Sequence, residues 1–423
     1  MTTEFVDWKQ SWGPVVELVA NTGIQFLDFE FTRDSVKRFE AVFVEDRLDD
    51  EKRILRKFDG KNDVLEQGSL RYEFGIRELT NLYLDKWMPV PYFSTDRGHG
   101  LRGPFNWTRA RITQNPSNET DNYCVQLAVD TTVSKDGEGD GYLQPSRQDA
   151  DVEREFKFAN SFEIRSNFIK NGCDDVDTFN FEDSGAWVSD WLKDIHAKFL
   201  SENDRNDQQH HESKFEPWSG YLAFLDLLNR AISLPTLKLT PSKYSHSDAN
   251  KIDVDLILDI GNSRTCGLLV EMPGGQNQVS LDLDSVTQLS LRDLHNPIFE
   301  YSGLFESRVE FADQNFGKDK FSRLSGRNNA FLWPSFVRFG PEALRLVSKD
   351  KGNEEHSGLS SPKRYLWDNN LFSQKWRFHN WENYPRAPRS LAAVLPKLTA
   401  QGDFLTQVNE ELDENLRDSR DTS

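Results

Sequence analysis

The chain has 423 residues, and 51 Lys+Arg against 69 Asp+Glu leave a formal net charge of −18. That acid excess excludes a broad phosphate-contacting surface, because duplex binding draws its affinity from Lys and Arg neutralising phosphates. The 11 Trp and 30 Phe exclude a chain that stays disordered, and the length predicts about two to three domains. The start, MTTEFVDWKQSWG, lacks a basic stretch followed by an apolar one, and no run of about 18 apolar residues occurs later. Both features predict a cytoplasmic chain with no membrane span. Cys124, Cys173 and Cys266 are scattered, without a CxxC pair or a His at ligand spacing, so neither a disulfide framework nor a zinc module is expected.

Along the chain, Leu70–Trp87 repeats Tyr72, Ile76, Leu79 and Tyr83 on one helical face and stops before Met88-Pro-Val-Pro91. Tyr123–Val133 alternates as a strand with one solvated face. Ser134–Val152, with Gly137, Gly139 and Gly141, reads as a surface loop, since those glycines lack the spacing of a phosphate loop. Ala186–Leu200 places Trp187, Trp191, Ile195 and Phe199 at successive i+4 positions of an amphipathic helix. Residues 201–217 are polar and read as a linker, and Ser219–Leu234 as an apolar helix packed across a domain boundary near Lys251.

The segment that carries chemistry is Val254–Glu271, VDLILDIGNSRTCGLLVE. Two apolar strands flank Gly261-Asn262, residues that tolerate positive φ, which predicts a β-hairpin. Asp259 falls at the buried end of the first strand, where an isolated carboxylate is costly to desolvate. A cationic neighbour is therefore expected. The amides of Gly261, Asn262 and Ser263, with the Ser263 and Thr265 hydroxyls, form a candidate anion nest beside that acid. Acid plus nest suits a metal-bound phosphate, with amides on phosphate oxygens and the carboxylate orienting a water on Mg²⁺. Cys266 lies on a strand heading inward and is expected as a small buried hydrophobe.

At these residues the sequence resembles the first phosphate loop of the actin, sugar-kinase and heat-shock-chaperone ATPase superfamily, and also the start of type III pantothenate kinases. Trp333-Pro-Ser-Phe-Val-Arg-Phe-Gly340 with Pro341-Glu-Ala343 resembles the chaperone edge strand and its following turn. Ser361-Pro-Lys-Arg-Tyr-Leu-Trp367 resembles the chaperone segment whose lysine reaches toward the γ-phosphate, which makes Lys363 the candidate here. Together with Leu291-Arg-Asp-Leu294, Phe305-Glu-Ser-Arg308 and Ser325-Gly-Arg327, these segments resemble SrfB-type virulence factors of Gram-negative bacteria as far as about Asp368.

The resemblance implies ATP and Mg²⁺ as cofactors, with Asp259 and Lys363 catalytic, Asp259 acting on the metal through water, and Gly261, Asn262, Ser263, Arg264 and Thr265 holding phosphate. It also implies a larger protein, since an actin-like ATPase closes on its nucleotide with a second lobe. The expected class is α/β, α+β overall. Residues 1–250 form a mixed N-terminal module, 251–368 a partial actin-like (ribonuclease H-like) lobe, and 369–423 a segment with a charged tail. Turnover is then expected only with a second lobe supplied. The competing expectation is a non-catalytic acidic module that binds protein partners and uses the actin-like half as scaffold.

Overall fold

The computed structural model describes residues 2–5, 12–47, 53–60, 65–96, 100–105, 107–115, 122–133, 145–167, 192–197, 215–241, 253–272, 286–294, 296–312, 316, 331, 333, 335, 337–348, 357–361, 363, 376–377 and 390–391. They form a mixed α+β chain in which sheets predominate. It divides into two compact units, one of Met1–Val6, Ser245–Lys318 and Leu332–Ser423, the other of Asp7–Tyr244 and Asp319–Phe331. Strand β1 (Thr2–Phe5) belongs to the first of these, the smaller one.

The larger unit begins with β2 (Val15–Val19), β3 (Ile24–Thr32), β4 (Glu40–Arg47), β5 (Arg53–Lys57), β6 (Leu70–Gly75) and helix α1 (Ile76–Tyr83). It continues through β7 (Met88–Pro89), β8 (Tyr92–Asp96), β9 (Gly100–Phe105), β10 (Thr108–Gln114), β11 (Asn122–Asp130), α2 (Arg147–Asp151), β12 (Glu155–Phe158) and α3 (Phe162–Asn167). The long helix Phe215–Ile232 and β13 (Thr236–Thr240) complete it. The strands order as β3-β11-β10-β7, β2-β13-β12-β8-β9 and β5-β4-β6.

β11 lies between β3 and β10, with Leu127 opposite Leu27 and Val125 opposite Phe29, and residues 124–130 are buried throughout. The solvated face expected for this strand is absent because both of its faces are covered. The long helix is apolar nearly all round because nearly all of it is buried. Gly220 lets it approach α1, since a Cβ there would lie 3.1 Å from the Tyr83 hydroxyl. Tyr83 and Phe224 then pack with tilted rings at 5.1 Å between centroids, and the Tyr221 hydroxyl donates to the Pro89 carbonyl at 2.6 Å. This helix packs on α1, β3, β4 and β6 of its own unit.

Two further expectations are corrected here. The predicted helix from Leu70 is strand as far as Gly75, because β6 pairs with β4 along its whole length before α1 begins. Within the expected surface loop, Ser146 opens α2 by accepting from the Asp149 amide at 3.2 Å, while Asp149 accepts from the Ser146 amide at 2.9 Å. Residues 134–144 lie outside the described residues, as do Trp187, Trp191 and Phe199; residues 192–197 are helical, with Leu192 and Ile195 buried.

The smaller unit contains β14 (Asp253–Ile260), β15 (Arg264–Met272), β16 (Val286–Gln288), β17 (Ser290–Arg292), β18 (Phe299–Ser302), β19 (Phe305–Glu306), β20 (Arg308–Phe311), β21 (Val337–Phe339) and β22 (Gly358–Ser360). β14 and β15 form the predicted hairpin, with Ile260 opposite Thr265. β16 and β19 pair with the far side of β15, whereas β14 pairs with β15 alone among the described strands. The turn expected after β21 is the start of a helix, Gly340–Ser348, because Ala343 and Leu346 find buried positions a turn apart.

Candidate functional site

The turn between β14 and β15 is closed by the Gly261 amide donating to the Arg264 carbonyl at 2.9 Å. Neither Gly261 nor Asn262 adopts positive φ. The need for glycine is one of approach: a Cβ at Gly261 would meet the Arg264 carbonyl oxygen at 2.5 Å. Among the described residues none accepts from the amides of Asn262 or Ser263, so both remain available at an exposed turn.

Behind the turn stands Ser307, which the sequence reading assigned no role. Its hydroxyl donates to the Gly261 carbonyl at 2.8 Å and meets the Thr265 hydroxyl at 2.8 Å, while its amide donates to the Ser263 carbonyl at 3.0 Å. The Ser361 amide in turn donates to the Ser307 carbonyl at 2.8 Å. Ser307 and Thr265 are both buried, so their hydroxyls fix the shape of the turn from beneath. Nothing in residue spacing ties Ser307 to a glycine 46 positions earlier.

Lys363 lies beside the entry to the turn. Its Nζ donates to the Ile260 carbonyl at 2.9 Å, across 103 residues of chain, at the point where β14 enters the turn. Arg264 is drawn the other way, into an ion pair with Glu306 on the neighbouring strand.

Asp259 is placed differently from expectation. Residues 254–260 are exposed throughout, and β14 pairs on one side only among the described strands, so the carboxylate of Asp259 is solvated rather than buried. The demand for a cation to offset desolvation therefore falls away, while the carboxylate is left open to water and to a hydrated ion. Cys266, opposite Asp259 in the ladder, is half-buried rather than buried. Among the described residues no group of three His, Cys, Asp or Glu is gathered as a metal site, and no helix is long and apolar enough to cross a membrane.

The family profile described as virulence factor SrfB matches residues 1–421, and the chain belongs to that family. The match continues well past Asp368, where the resemblance of individual motifs stops. Neither curated proteins nor solved structures gave a match to the chain.

Proposed function

We propose that this SrfB-family chain holds the phosphate end of a magnesium nucleotide at the Asp259–Thr265 turn, as the first phosphate loop of an actin-like ATPase. The observation that carries the reading is the meeting of Lys363 with Ile260: a cation from a distant segment sits beside a turn in which the Asn262 and Ser263 amides have no acceptor among the described residues. The amides of Asn262 and Ser263 would receive phosphate oxygens, and Lys363 would add a positive charge at the same end of β14. Asp259, exposed one residue before Ile260, would accept from water on Mg²⁺; the ion would supply charge neutralisation of the phosphates. Thr265 and Ser307 would hold the amides in place without touching ligand. Because all of these groups lie on one unit, binding can occur without turnover, and hydrolysis is expected only when a second lobe covers the nucleotide.

Calorimetric titration of the full chain with Mg-ATP tests the reading, with Asp259→Ala and Lys363→Met alongside. Saturable heat from the unsubstituted chain, weakened at least about tenfold in either variant, is the expected result. Absence of heat, or equal binding by all three chains, removes the site.

A further inference from the structure

We infer that Ser361 is a positioning residue, held in a left-handed backbone conformation so that the chain beyond it delivers Lys363 to the Asp259–Thr265 turn. Ser361 has a φ of +54°, in a region that residues other than glycine rarely adopt. The next residue in the chain is Pro362, and a following proline drives the residue before it toward extended conformations. The position is therefore disfavoured twice, and its side chain supplies no reason for it. Among the described residues the Ser361 hydroxyl has no hydrogen-bond partner. What the position demands is the backbone conformation.

Backbone strain persists where the surroundings over-determine it, and bonds on both sides of Ser361 do so. Before it, β22 pairs with β20, with Ser360 opposite Arg308, and the Ser361 amide extends that ladder by donating to the Ser307 carbonyl at 2.8 Å. A Cβ at Gly358 would lie 2.2 Å from the Val309 carbonyl oxygen, so β22 lies close against β20. After it, Lys363 Nζ donates to the Ile260 carbonyl at 2.9 Å. An extended Ser361 would continue the register of β22 and set position 363 opposite Phe305, whose strand pairs with the far side of β15 from β14. The left-handed residue breaks that course. Ser307 gives the lysine and the turn a common register: its carbonyl takes the Ser361 amide, while its amide and hydroxyl donate to the carbonyls of Ser263 and Gly261.

The placement of Lys363 needs no ligand, whereas its effect on nucleotide rests on the phosphate reading above. The test compares the full chain with Ser361→Gly, Ser361→Ala and Ser361→Val, since glycine adopts the left-handed region freely, alanine resists it and a β-branched residue resists it most. Acetylation of Lys363 by acetic anhydride, mapped by mass spectrometry without nucleotide, reads the placement, because an amine held by a carbonyl reacts more slowly than a free one. Ser361→Val should raise the Lys363 rate at least about threefold, Ser361→Ala should raise it less, and Ser361→Gly should react no faster than the unsubstituted chain. Mg-ATP calorimetry should follow the same order, with Ser361→Gly binding at least about tenfold more tightly than Ser361→Val. Equal labelling of all four chains would overturn the proposal. So would equal acceleration in Ser361→Gly and Ser361→Ala, which would assign the role to the hydroxyl; this comparison decides if circular dichroism shows that Ser361→Val does not fold. Graded labelling without Mg-ATP heat from any chain would uphold the placement and remove the phosphate reading, and Mg-ATP heat with ungraded labelling would do the reverse.

Discussion

Lys363 Nζ lies 2.9 Å from the carbonyl oxygen of Ile260, so the amine of a residue late in the chain marks the end of an exposed edge strand. This contact is itself exposed, and exposed pairings of this kind add little to stability. Lys363→Met should therefore change the unfolding free energy by less than about 1 kcal/mol while weakening Mg-ATP at least about tenfold. Urea denaturation and calorimetry on the same preparation separate the two effects. A variant that loses stability and binding together would make Lys363 a structural residue.

Gly261 is the position at which the turn tolerates least. A methyl group there would lie 2.5 Å from the Arg264 carbonyl oxygen, and that oxygen is held by the Gly261 amide itself, so neither group can yield without opening the turn. Gly261→Ala should destabilise the smaller unit by about 1–3 kcal/mol. The measurement is urea denaturation followed by tryptophan fluorescence; an unchanged midpoint would mean that the turn relaxes freely.

The hydroxyls of Ser307 and Thr265 share one hydrogen bond, and that of Ser307 also reaches the Gly261 carbonyl. Both are buried, so removing either leaves a partner unsatisfied. Ser307→Ala should cost about 1–3 kcal/mol. Combined with Thr265→Val, it should cost clearly less than the sum of the two single changes, because the double variant removes both ends of the bond. Simple additivity in denaturation experiments would show that the hydroxyls act independently.

Cys124 and Cys266 differ in environment although both are free. Burial, and after it the charges of Glu30 and Asp28, push the Cys124 thiol up to about 12. Cys266 is half-buried on β15. Since the thiolate is the reactive form, iodoacetamide at pH 8 should label Cys266 at least about tenfold faster than Cys124 in the folded chain. Peptide mapping by mass spectrometry reads this directly, and the difference should vanish in concentrated urea. Equal labelling of the folded chain would place Cys124 at the surface.

The hairpin was legible because Gly261-Asn262 separates two apolar runs, and that signal is local. Asp259 was misplaced because the same apolar runs say nothing of sheet order. VDLILDI reads as a buried strand, and only the sheet order shows β14 at an edge among the described strands. Tyr72 fell into a helical pattern with Ile76, Leu79 and Tyr83, yet β4 takes residues 70–75 as a strand partner, and long-range pairing outweighs local periodicity there. The motif singled out Lys363 but not its contact with the Ile260 carbonyl, and Ser307 was missed because its work is done by a hydroxyl and two main-chain groups. No residue pattern encodes those. The mixed α+β class needed only the succession of patterns, which is why it survived these local errors.

Glu342 gives the most direct electrostatic prediction. It sits buried in the helix Gly340–Ser348, and Asp293, also buried, accepts from the Tyr301 hydroxyl at 2.7 Å and from Arg345 Nε at 3.1 Å. Arg338 approaches Glu342 only to 3.6 Å, while the Leu294 amide donates to it at 3.3 Å. Burial, and next the charge of Asp293, outweigh these favourable contacts and push Glu342 up to about 7 from its ordinary 4.5. The folded chain thus binds this proton more tightly than the unfolded chain does. The resulting stability is complete below about pH 4.5 and is lost as the pH rises through about 7. Glu342→Gln mimics the protonated form at every pH and removes the loss. The fall in unfolding free energy between pH 4.5 and pH 8 should then be smaller in the variant by about 3 kcal/mol. Urea denaturation across that range measures it. Parallel pH profiles for the two chains would show that Arg338 and Arg345 keep Glu342 ionised throughout.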